Sequence, residues 1–253
     1  MSGIDFVIGG ATRSATRVLS GILNAHPNIY MPEFNPKSKK RKTPMSYFDM
    51  TAQKDQKEGQ KTLYGEWEDV AEDCARYYPK AKIIFNLRDP VTRAYSQYCK
   101  SRRDGKEVAV TFEEAIEEEM EGIRRPETTG RCWIYKSQYQ IHLDEWFSYF
   151  PREQILILIM EEWVDNPAVG LAPLEAFLDL EKGSLLKNAR NPSVQSGQKA
   201  GLLTSLLDKL PIGLNTGNVP MQPSTKEELE DIFSVDKLYV ANVLGRDKIE
   251  VWR

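Results

Sequence analysis

Residues 5–23 read DFVIGGATRSATRVLSGIL and predict a strand, a tight loop and a helix in direct succession. Asp5 to Ile8 is a short β-rich run that ends at two glycines. The apolar residues of 18–23 recur at helical spacing on one face. A helix that begins immediately after a strand directs its first backbone N–H groups toward the loop between them. The arrangement is therefore typical of a ligand-binding loop.

The loop, residues 9–17, combines two glycines with hydroxyl and basic side chains. Small residues let backbone N–H groups approach a ligand, and the beginning of the helix adds partial positive charge. Arg13 and Arg17 add full charges, and Ser14 and Thr16 add hydroxyl donors. The loop therefore predicts a cradle for an anion, most naturally a phosphate, in preference to a plain turn with surface arginines.

Other strands and helices are predicted further along the chain. Residues 82–87 and 155–160 form apolar runs typical of buried strands. Asp89-Pro90 predicts the beginning of a helix over 91–103, because proline lacks a donor that would be unpaired there anyway. The remaining predicted features are a capping box at Thr111 to Glu114, helices over 135–150, near 174–178 and after Ser224, and a partly ordered loop over 187–223 around a short helix at 202–210.

Strands that alternate with helices indicate a parallel sheet covered on both faces. The sequence therefore predicts the α/β class, with a central parallel sheet flanked by helices and a P-loop-like strand–loop–helix nucleotide site. We expect a single domain over residues 1–253, because a chain of this length buries an ordinary hydrophobic core.

The composition narrows the classes of function. With 34 basic and 37 acidic residues, the net charge of −3 argues against a surface that coats nucleic acid. Three widely spaced cysteines without a CxxC pair and only two histidines argue against a metal site, so we expect no metal. No secretory signal is visible, and no apolar run approaches the ~20 residues of a spanning helix. We therefore expect a cytoplasmic protein with no membrane partner; the oligomeric state stays open.

The loop departs from that of nucleoside triphosphatases, which reads GxxxxGK[ST]. Counting from Gly9 puts Ser14-Ala15 where Gly-Lys should be, and counting from Gly10 puts Ala15-Thr16 there. Neither register supplies the lysine that reaches the terminal phosphates. ATP or GTP hydrolysis is therefore disfavoured.

Two motifs resemble those of sulfotransferases that use 3′-phosphoadenosine 5′-phosphosulfate (PAPS), including the bacterial and heparan-type O-sulfotransferases. Residues 11–17, ATRSATR, resemble the family's 5′-phosphosulfate loop, although Ala15 replaces the usual glycine and Arg13 the commoner lysine. Residues 88–96, RDPVTRAYS, match the arginine at a strand end and the serine eight positions on that bind the 3′-phosphate. Weaker similarity covers most of the chain. Ser137 to Tyr139 resembles the family's Ser-x-Tyr helix, which contacts the nucleotide, and Phe177 to Leu180 resembles its Phe-Leu-Gly-Leu segment. Tyr239 to Trp252 resembles the family's C-terminal helix with its closing tryptophan.

The resemblance implies which residues bind PAPS as a co-substrate. They are Ala11, Thr12, Arg13, Ser14, Ala15, Thr16, Arg17, Arg88, Ser96, Tyr139 and Lys199, the last as the nearest candidate for the family's late basic loop. Arg13 would also be catalytic, because it can meet the charge that develops on the 5′-phosphate side. The catalytic base in the glycan-modifying branch is a glutamate shortly after a His-Pro dipeptide. Here the nearest carboxylate is Glu33, with Asp49 and Glu66 as reserves.

The implied reaction is transfer of a sulfonyl group from PAPS to a hydroxyl or amine of a small-molecule acceptor, with a secondary metabolite as one candidate. Two rival functions stay open from the residues alone. One is a P-loop-type small-molecule or nucleotide kinase, which the missing lysine argues against. The other is a non-catalytic nucleotide-binding protein. The sequence identifies neither the acceptor nor whether oxygen or nitrogen is sulfated.

Two charged stretches lie outside these motifs. Residues 36–44 contain five basic residues between prolines, a pattern that favours a solvated loop. The alternative is that this stretch forms a lid that attracts an anionic ligand. Six glutamates within 113–121 predict a solvent-exposed acidic helix face. An acidic face at the acceptor entrance would favour a cationic acceptor.

Overall fold

A computed structural model describes residues 4–31, 57–61, 70–126, 131–190 and 220–252. The chain divides into two compact units. The first unit comprises Met1–Leu87 and Glu145–Leu210, and the second comprises Arg88–Asp144 and Pro211–Arg253. No helix among the described residues is both long enough and apolar enough to cross a bilayer.

The first unit contains a five-stranded sheet in which every neighbouring pair of strands is parallel. The strand order is β2-β3-β1-β4-β5. The strands are β1 Phe6–Gly10, β2 Ile29–Tyr30, β3 Lys57–Lys61, β4 Lys82–Leu87 and β5 Ile155–Ile159. β1 and β4 are neighbours in the middle of the sheet, which brings their carboxyl ends to the same edge.

The helices are α1 Thr16–Asn24, α2 Val70–Tyr77, α3 Pro90–Arg103, α4 Phe112–Met120, α5 Tyr139–Tyr149, α6 Met160–Asp165, α7 Pro167–Gly170, α8 Ala172–Phe177, α9 Ser184–Arg190, α10 Pro223–Ile232 and α11 Ser234–Val243. Short 3-10 turns lie at Tyr135–Ser137 and Arg152–Gln154. The parallel sheet and its helices confirm the predicted α/β class. The extent of the domain over residues 1–253 stays a prediction.

The core of the first unit forms where α1 packs on the sheet. Its apolar stripe, predicted from spacing, buries Leu19, Ile22 and Leu23 against Phe6 and Ile8 of β1. In the second unit, a cluster of buried apolar side chains joins α3, α4 and α10, with rings of Tyr95 and Phe112 in edge-to-face contact at 5.2 Å. Burial of such faces supplies the main favourable term in folding.

Several sequence predictions of secondary structure were wrong or incomplete. β2, β3 and α2 were not predicted; β3 reads KEGQK, which has no apolar alternation to reveal it. Residues 187–190, expected in a loop, lie in α9. The single helix predicted after Ser224 is two helices in the structure. The first of them begins at Pro223, and its N-cap residue, Gln222, makes no side-chain capping hydrogen bond. The predicted helix at 202–210 lies outside the described residues.

The acidic face of α4 is only partly solvent-exposed. The predicted capping box is confirmed, since Thr111 Oγ1 accepts from Glu114 N and Glu114 Oε2 accepts from Thr111 N. Glu119, however, turns inward and accepts hydrogen bonds from the backbone N–H groups of residues 133, 134 and 135. These hydrogen bonds anchor the chain before α5. Burial raises the pKa of the Glu119 carboxyl.

Candidate active site

The loop after β1 contains two residues in the left-handed region. β1 ends at Gly10 and α1 begins at Thr16; between them Arg13 has φ 74° and Ala15 has φ 55°. Left-handed residues interspersed in a loop before a helix produce concave nests of backbone N–H groups that favour anions. The local backbone therefore supports the predicted cradle.

The beginning of α1 lacks a side-chain cap. Ala15 is the N-cap residue and has no oxygen that could accept a hydrogen bond from the first turn. The first N–H groups of a helix have no partner within the helix, and an anion bound there satisfies them. The end of β1 also packs tightly against its neighbour β4, because a Cβ on Gly9 would lie 2.7 Å from Cε1 of Phe85.

Ser14 provides the clearest local sign of a ligand. It is fully buried, and its Oγ makes no hydrogen bond within the described part of the chain. A buried hydroxyl without a partner costs roughly 1–3 kcal/mol. A phosphate or sulfonate oxygen at the loop would satisfy it, so the loop fits the phosphosulfate end of PAPS.

The other loop residues differ in exposure: Ala11 and Thr16 are buried, Thr12, Arg13 and Ala15 are half-buried, and Arg17 is exposed. Arg13 is thus the loop cation closer to the protein interior. Charges act more strongly where less water screens them, so Arg13 is better placed than Arg17 to stabilise a developing charge.

The second predicted motif, RDPVTRAYS, begins where β4 ends. Pro90 opens α3, as the sequence predicts, and Asp89 Oδ1 caps the helix by accepting from Thr92 N at 2.9 Å. Arg88 is 7% exposed and its Nε donates to Thr92 Oγ1 at 3.0 Å, which orients the guanidinium along the first turn of α3. Ser96, 4% exposed, lies further along the same helix.

Tyr139 lies directly behind Arg88. Its side chain is fully buried, and its hydroxyl donates to the carbonyl oxygen of Arg88 at 2.6 Å. The ring of Trp252 packs against the Tyr139 ring, with 6.0 Å between centroids. This geometry gives Tyr139 a role in positioning Arg88, whereas its predicted contact with the nucleotide stays a prediction.

Sequence reasoning missed the residues that brace this motif. Nζ of Lys237, in α11, lies 2.8 Å from Asp89 Oδ2. Burial lowers the pKa of Lys237, but the carboxylates of Asp89 and Glu230 outweigh this effect, so the pKa is raised overall. Arg93, 1% exposed, donates to Ser137 Oγ at 2.7 Å and to the carbonyl of residue 133 at 3.0 Å. Ser137 thus supports Arg93. Arg88 precedes α3 whereas Arg93 lies within it, a difference that Asp89-Pro90 indicates in the sequence.

Several candidate residues lie outside the described part of the chain. They are the proposed base Glu33, its alternatives Asp49 and Glu66, the late basic residue Lys199 and the basic stretch 36–44. Their assignments rest on the sequence alone.

The family model described as "Sulfotransferase domain" matches residues 4–205. The chain belongs to this sulfotransferase family. The match begins before β1 and includes both the loop of residues 9–17 and the motif at 88–96. It therefore confirms the family recognised from those motifs and disfavours the kinase alternative.

Relatives and solved structures agree with this membership. A human protein named bifunctional heparan sulfate N-deacetylase/N-sulfotransferase 2 is 33% identical over 120 residues, which are 46% of this chain and 14% of that protein. The chain thus spans a small part of its curated relatives' length. The crystal structure of a sulfotransferase from Alicyclobacillus acidocaldarius covers 100% of both chains with a TM-score of 0.72 and 24% identity. The structure of mouse sulfotransferase SULT7A1 complexed with PAP covers 94% of this chain and 85% of its own, with a TM-score of 0.57 and 16% identity. These two likenesses show the fold.

Proposed function

We propose that this sulfotransferase transfers a sulfonyl group from PAPS to a hydroxyl or amine of a small-molecule acceptor. The observation that carries the proposal is the buried Ser14 hydroxyl, which lacks a partner among the described residues and lies in a loop with left-handed backbone at the beginning of α1. The family match and the mouse neighbour complexed with PAP support the identity of the donor nucleotide.

Each motif receives one end of the nucleotide in this proposal. The loop of residues 11–17 binds the 5′-phosphosulfate through backbone N–H groups, Ser14 and Arg13. Arg88 and Ser96 bind the 3′-phosphate, for which a guanidinium supplies paired, charge-assisted hydrogen bonds. When bound, PAPS supplies the activated sulfonyl group.

The chain's own contribution to the rate is positioning and charge stabilisation. Arg13 faces the negative charge that grows on the 5′-phosphate side as the sulfur–oxygen bond breaks, and only interactions that strengthen at that stage raise the turnover rate. Glu33 is proposed to accept the acceptor's proton, with Asp49 and Glu66 as the other sequence candidates.

The acceptor class follows from the relatives only in outline. The heparan sulfate relatives are named for N-sulfotransfer, which keeps amines among the candidate acceptors beside hydroxyls. Other structural neighbours are sulfotransferase domains named for an olefin synthase and for the curacin biosynthetic pathway, at 16% and 17% identity. A secondary metabolite therefore stays in the proposal as one candidate.

The deciding experiment incubates the chain with PAPS and a panel of small alcohols, phenols and amines, followed by mass spectrometry. The expected result is an acceptor that gains the mass of one SO3, together with release of adenosine 3′,5′-bisphosphate. Arg13→Ala should lower turnover far more than nucleotide affinity, whereas Arg103→Ala at the exposed end of α3 should leave both unchanged. Binding of adenosine 3′,5′-bisphosphate without any transfer would contradict the proposal and favour the non-catalytic alternative.

A further inference from the structure

Asn86 is a polar residue in a strand that is otherwise apolar from Ile83 to Leu87. It is fully buried in β4, between β1 and β5. An amide in such a position requires partners for both its oxygen and its nitrogen, because a buried polar group without a partner is costly. Asn86 finds them on two different segments of the first unit.

The first partner is the phosphate-binding loop. Asn86 Nδ2 donates to the carbonyl oxygen of Ser14. The Asn86 main-chain carbonyl, in addition, accepts from the N–H of Ala11 at 2.9 Å. Asn86 therefore holds both ends of the segment from Ala11 to Ser14, the first end by its backbone and the second by its side chain.

The second partner is Trp163 of α6, whose Nε1 donates to Asn86 Oδ1 at 2.8 Å. Trp163 is fully buried, and a Cβ on Gly170 would lie 2.4 Å from its Cα, so the backbone of α6 at Trp163 packs against a residue that must be small. The indole N–H is a donor only, and the Ser14 carbonyl is an acceptor only. The amide of Asn86 satisfies both partners in one orientation alone.

We propose that Asn86 and Trp163 are positioning residues for the phosphate-binding loop, acting as a relay that fixes the orientation of the Ser14–Ala15 peptide group. In a trans peptide the C=O and N–H point in opposite directions. Holding the Ser14 carbonyl against β4 therefore directs the N–H of Ala15 to the opposite side. Fixing this N–H before the ligand arrives avoids the cost of ordering the loop on binding.

This inference rests on the proposed function only for the identity of the ligand, so one measurement is made without ligand. Amide hydrogen exchange of the free protein should show residues 11–16 exchanging at least about tenfold faster in Asn86→Leu than in the unchanged chain. The amides of β4 and β5 should keep their protection. Trp163→Phe, which removes the indole donor and keeps an aromatic ring, should accelerate exchange in the same loop by a smaller factor.

The two residues should behave as one unit. If Trp163 acts through Asn86, the double variant Asn86→Leu/Trp163→Phe should be no worse than Asn86→Leu alone, both in loop exchange and in affinity for adenosine 3′,5′-bisphosphate. Asn86→Asp adds a readout that a simple packing role would not move. A protonated aspartate can donate to the Ser14 carbonyl and an ionised one cannot, so loop protection in this variant should fall as pH rises, while Asn86→Leu stays low throughout.

Asn166→Asp is the matched control, because Asn166 lies on the same unit, is exposed and has an Oδ1 that accepts from Val169 N, a role that an aspartate also fills. It should leave exchange and affinity unchanged. Loop exchange in Asn86→Leu equal to that of the unchanged chain, or additive losses in the double variant, would overturn the relay. Failure of the unchanged chain to bind adenosine 3′,5′-bisphosphate would instead overturn the proposed function, and the exchange measurement would still decide the relay.

Discussion

At the scale of single residues, two positions where the family's motifs have glycine carry other residues with positive φ. Ala15 has φ 55° and Asp179 has φ 53°. The left-handed region strains any side chain with a Cβ, which explains why glycine suits both positions. Asp179 gains a compensating contact, because its carboxylate lies 2.7 Å from Lys82 Nζ, which also lowers the pKa of Asp179. Ala15 has no side-chain group to form such a contact.

The strain at Ala15 is measurable. An alanine in the left-handed region destabilises the folded state by about 1–2 kcal/mol. Replacing it with glycine removes this strain, but glycine also makes the unfolded chain more flexible, which offsets roughly 0.4–1 kcal/mol of the gain. Ala15→Gly should therefore raise the free energy of unfolding by about 0.5–1 kcal/mol in denaturant titrations. Ala176→Gly on the exposed side of α8, where the backbone is helical, should lower it by up to about 1 kcal/mol. Equal losses in both variants would show that Ala15 is not strained.

Arg88 provides the residue-scale test of the 3′-phosphate assignment. A charge-assisted hydrogen bond contributes about 1.5–3 kcal/mol, so Arg88→Ala should weaken binding of adenosine 3′,5′-bisphosphate by at least about tenfold. Binding of adenosine 5′-phosphate, which lacks the 3′ group, should hardly change. Ser96→Ala should show the same selectivity at smaller size. Calorimetry with both nucleotides checks this, and equal loss for the two would contradict the assignment.

At the scale of secondary-structure elements, α5 and α11 brace the beginning of α3. Asp236 of α11 accepts from the N–H of Gln140 at 2.9 Å, which fixes the first turn of α5, and Tyr139 in that turn donates to the Arg88 carbonyl. Lys237, next to Asp236, pairs with Asp89. Adjacent residues of one helix therefore reach both the cap of α3 and the helix that supports Arg88.

Removing the Tyr139 hydroxyl separates support from direct contact. Tyr139→Phe keeps the ring against Trp252 but loses one neutral hydrogen bond, which contributes about 0.5–1.5 kcal/mol. We expect affinity for adenosine 3′,5′-bisphosphate to fall roughly two- to tenfold, with adenosine 5′-phosphate unaffected. Tyr149→Phe at the exposed end of α5 should change neither value. If both nucleotides lost affinity alike, Tyr139 would contact the nucleoside directly, as the family resemblance implies.

The elements that the sequence predicted best are those whose residues satisfy local rules. β1, β4 and β5 are apolar runs, α1 has a clear stripe, and α3 and α4 have caps that can be recognised from neighbouring residues. The loop of 9–17 was recognisable for the same reason. β3 was not, since its KEGQK sequence forms a strand only because tertiary pairing with β1 and β2 overrides a low propensity.

The supporting contacts of the candidate site could not be predicted, because they join residues far apart in the chain. Trp163 reaches Asn86 across 77 positions, and Tyr139 reaches Arg88 across 51. A single sequence carries no signal for such pairs beyond the unusual polar residue in a buried strand. Asn86 was that signal.

At the scale of the whole molecule, acid stability should depend on histidine, of which the chain has only two. Burial lowers the pKa of His142 to about 4, and burial also lowers that of His26, with Glu175 acting in the opposite direction. The His142 ring is 4% exposed; its Nε2 lies 3.0 Å from the Tyr135 carbonyl and the ring packs edge-to-face on Tyr135. A neutral ring therefore fits this place, and a charged one is disfavoured by burial and by the nearby charges of Arg93 and Lys136.

The sign of the pH dependence follows from these shifts. As pH falls below 6.5, the unfolded chain takes up a proton at His142 before the folded chain does, so the stabilisation present above pH 6.5 is progressively lost toward pH 4. The gap between pKa 6.5 and about 4 corresponds to a loss of roughly 3 kcal/mol at most. Denaturant titrations at several pH values should show this fall for the unchanged chain. His142→Gln, which does not titrate, should flatten most of the slope between pH 6.5 and 4 at some loss of stability, whereas His26→Gln should flatten a smaller part. An undiminished slope in His142→Gln would show that carboxyl groups, rather than this buried ring, set the acid limit of the fold.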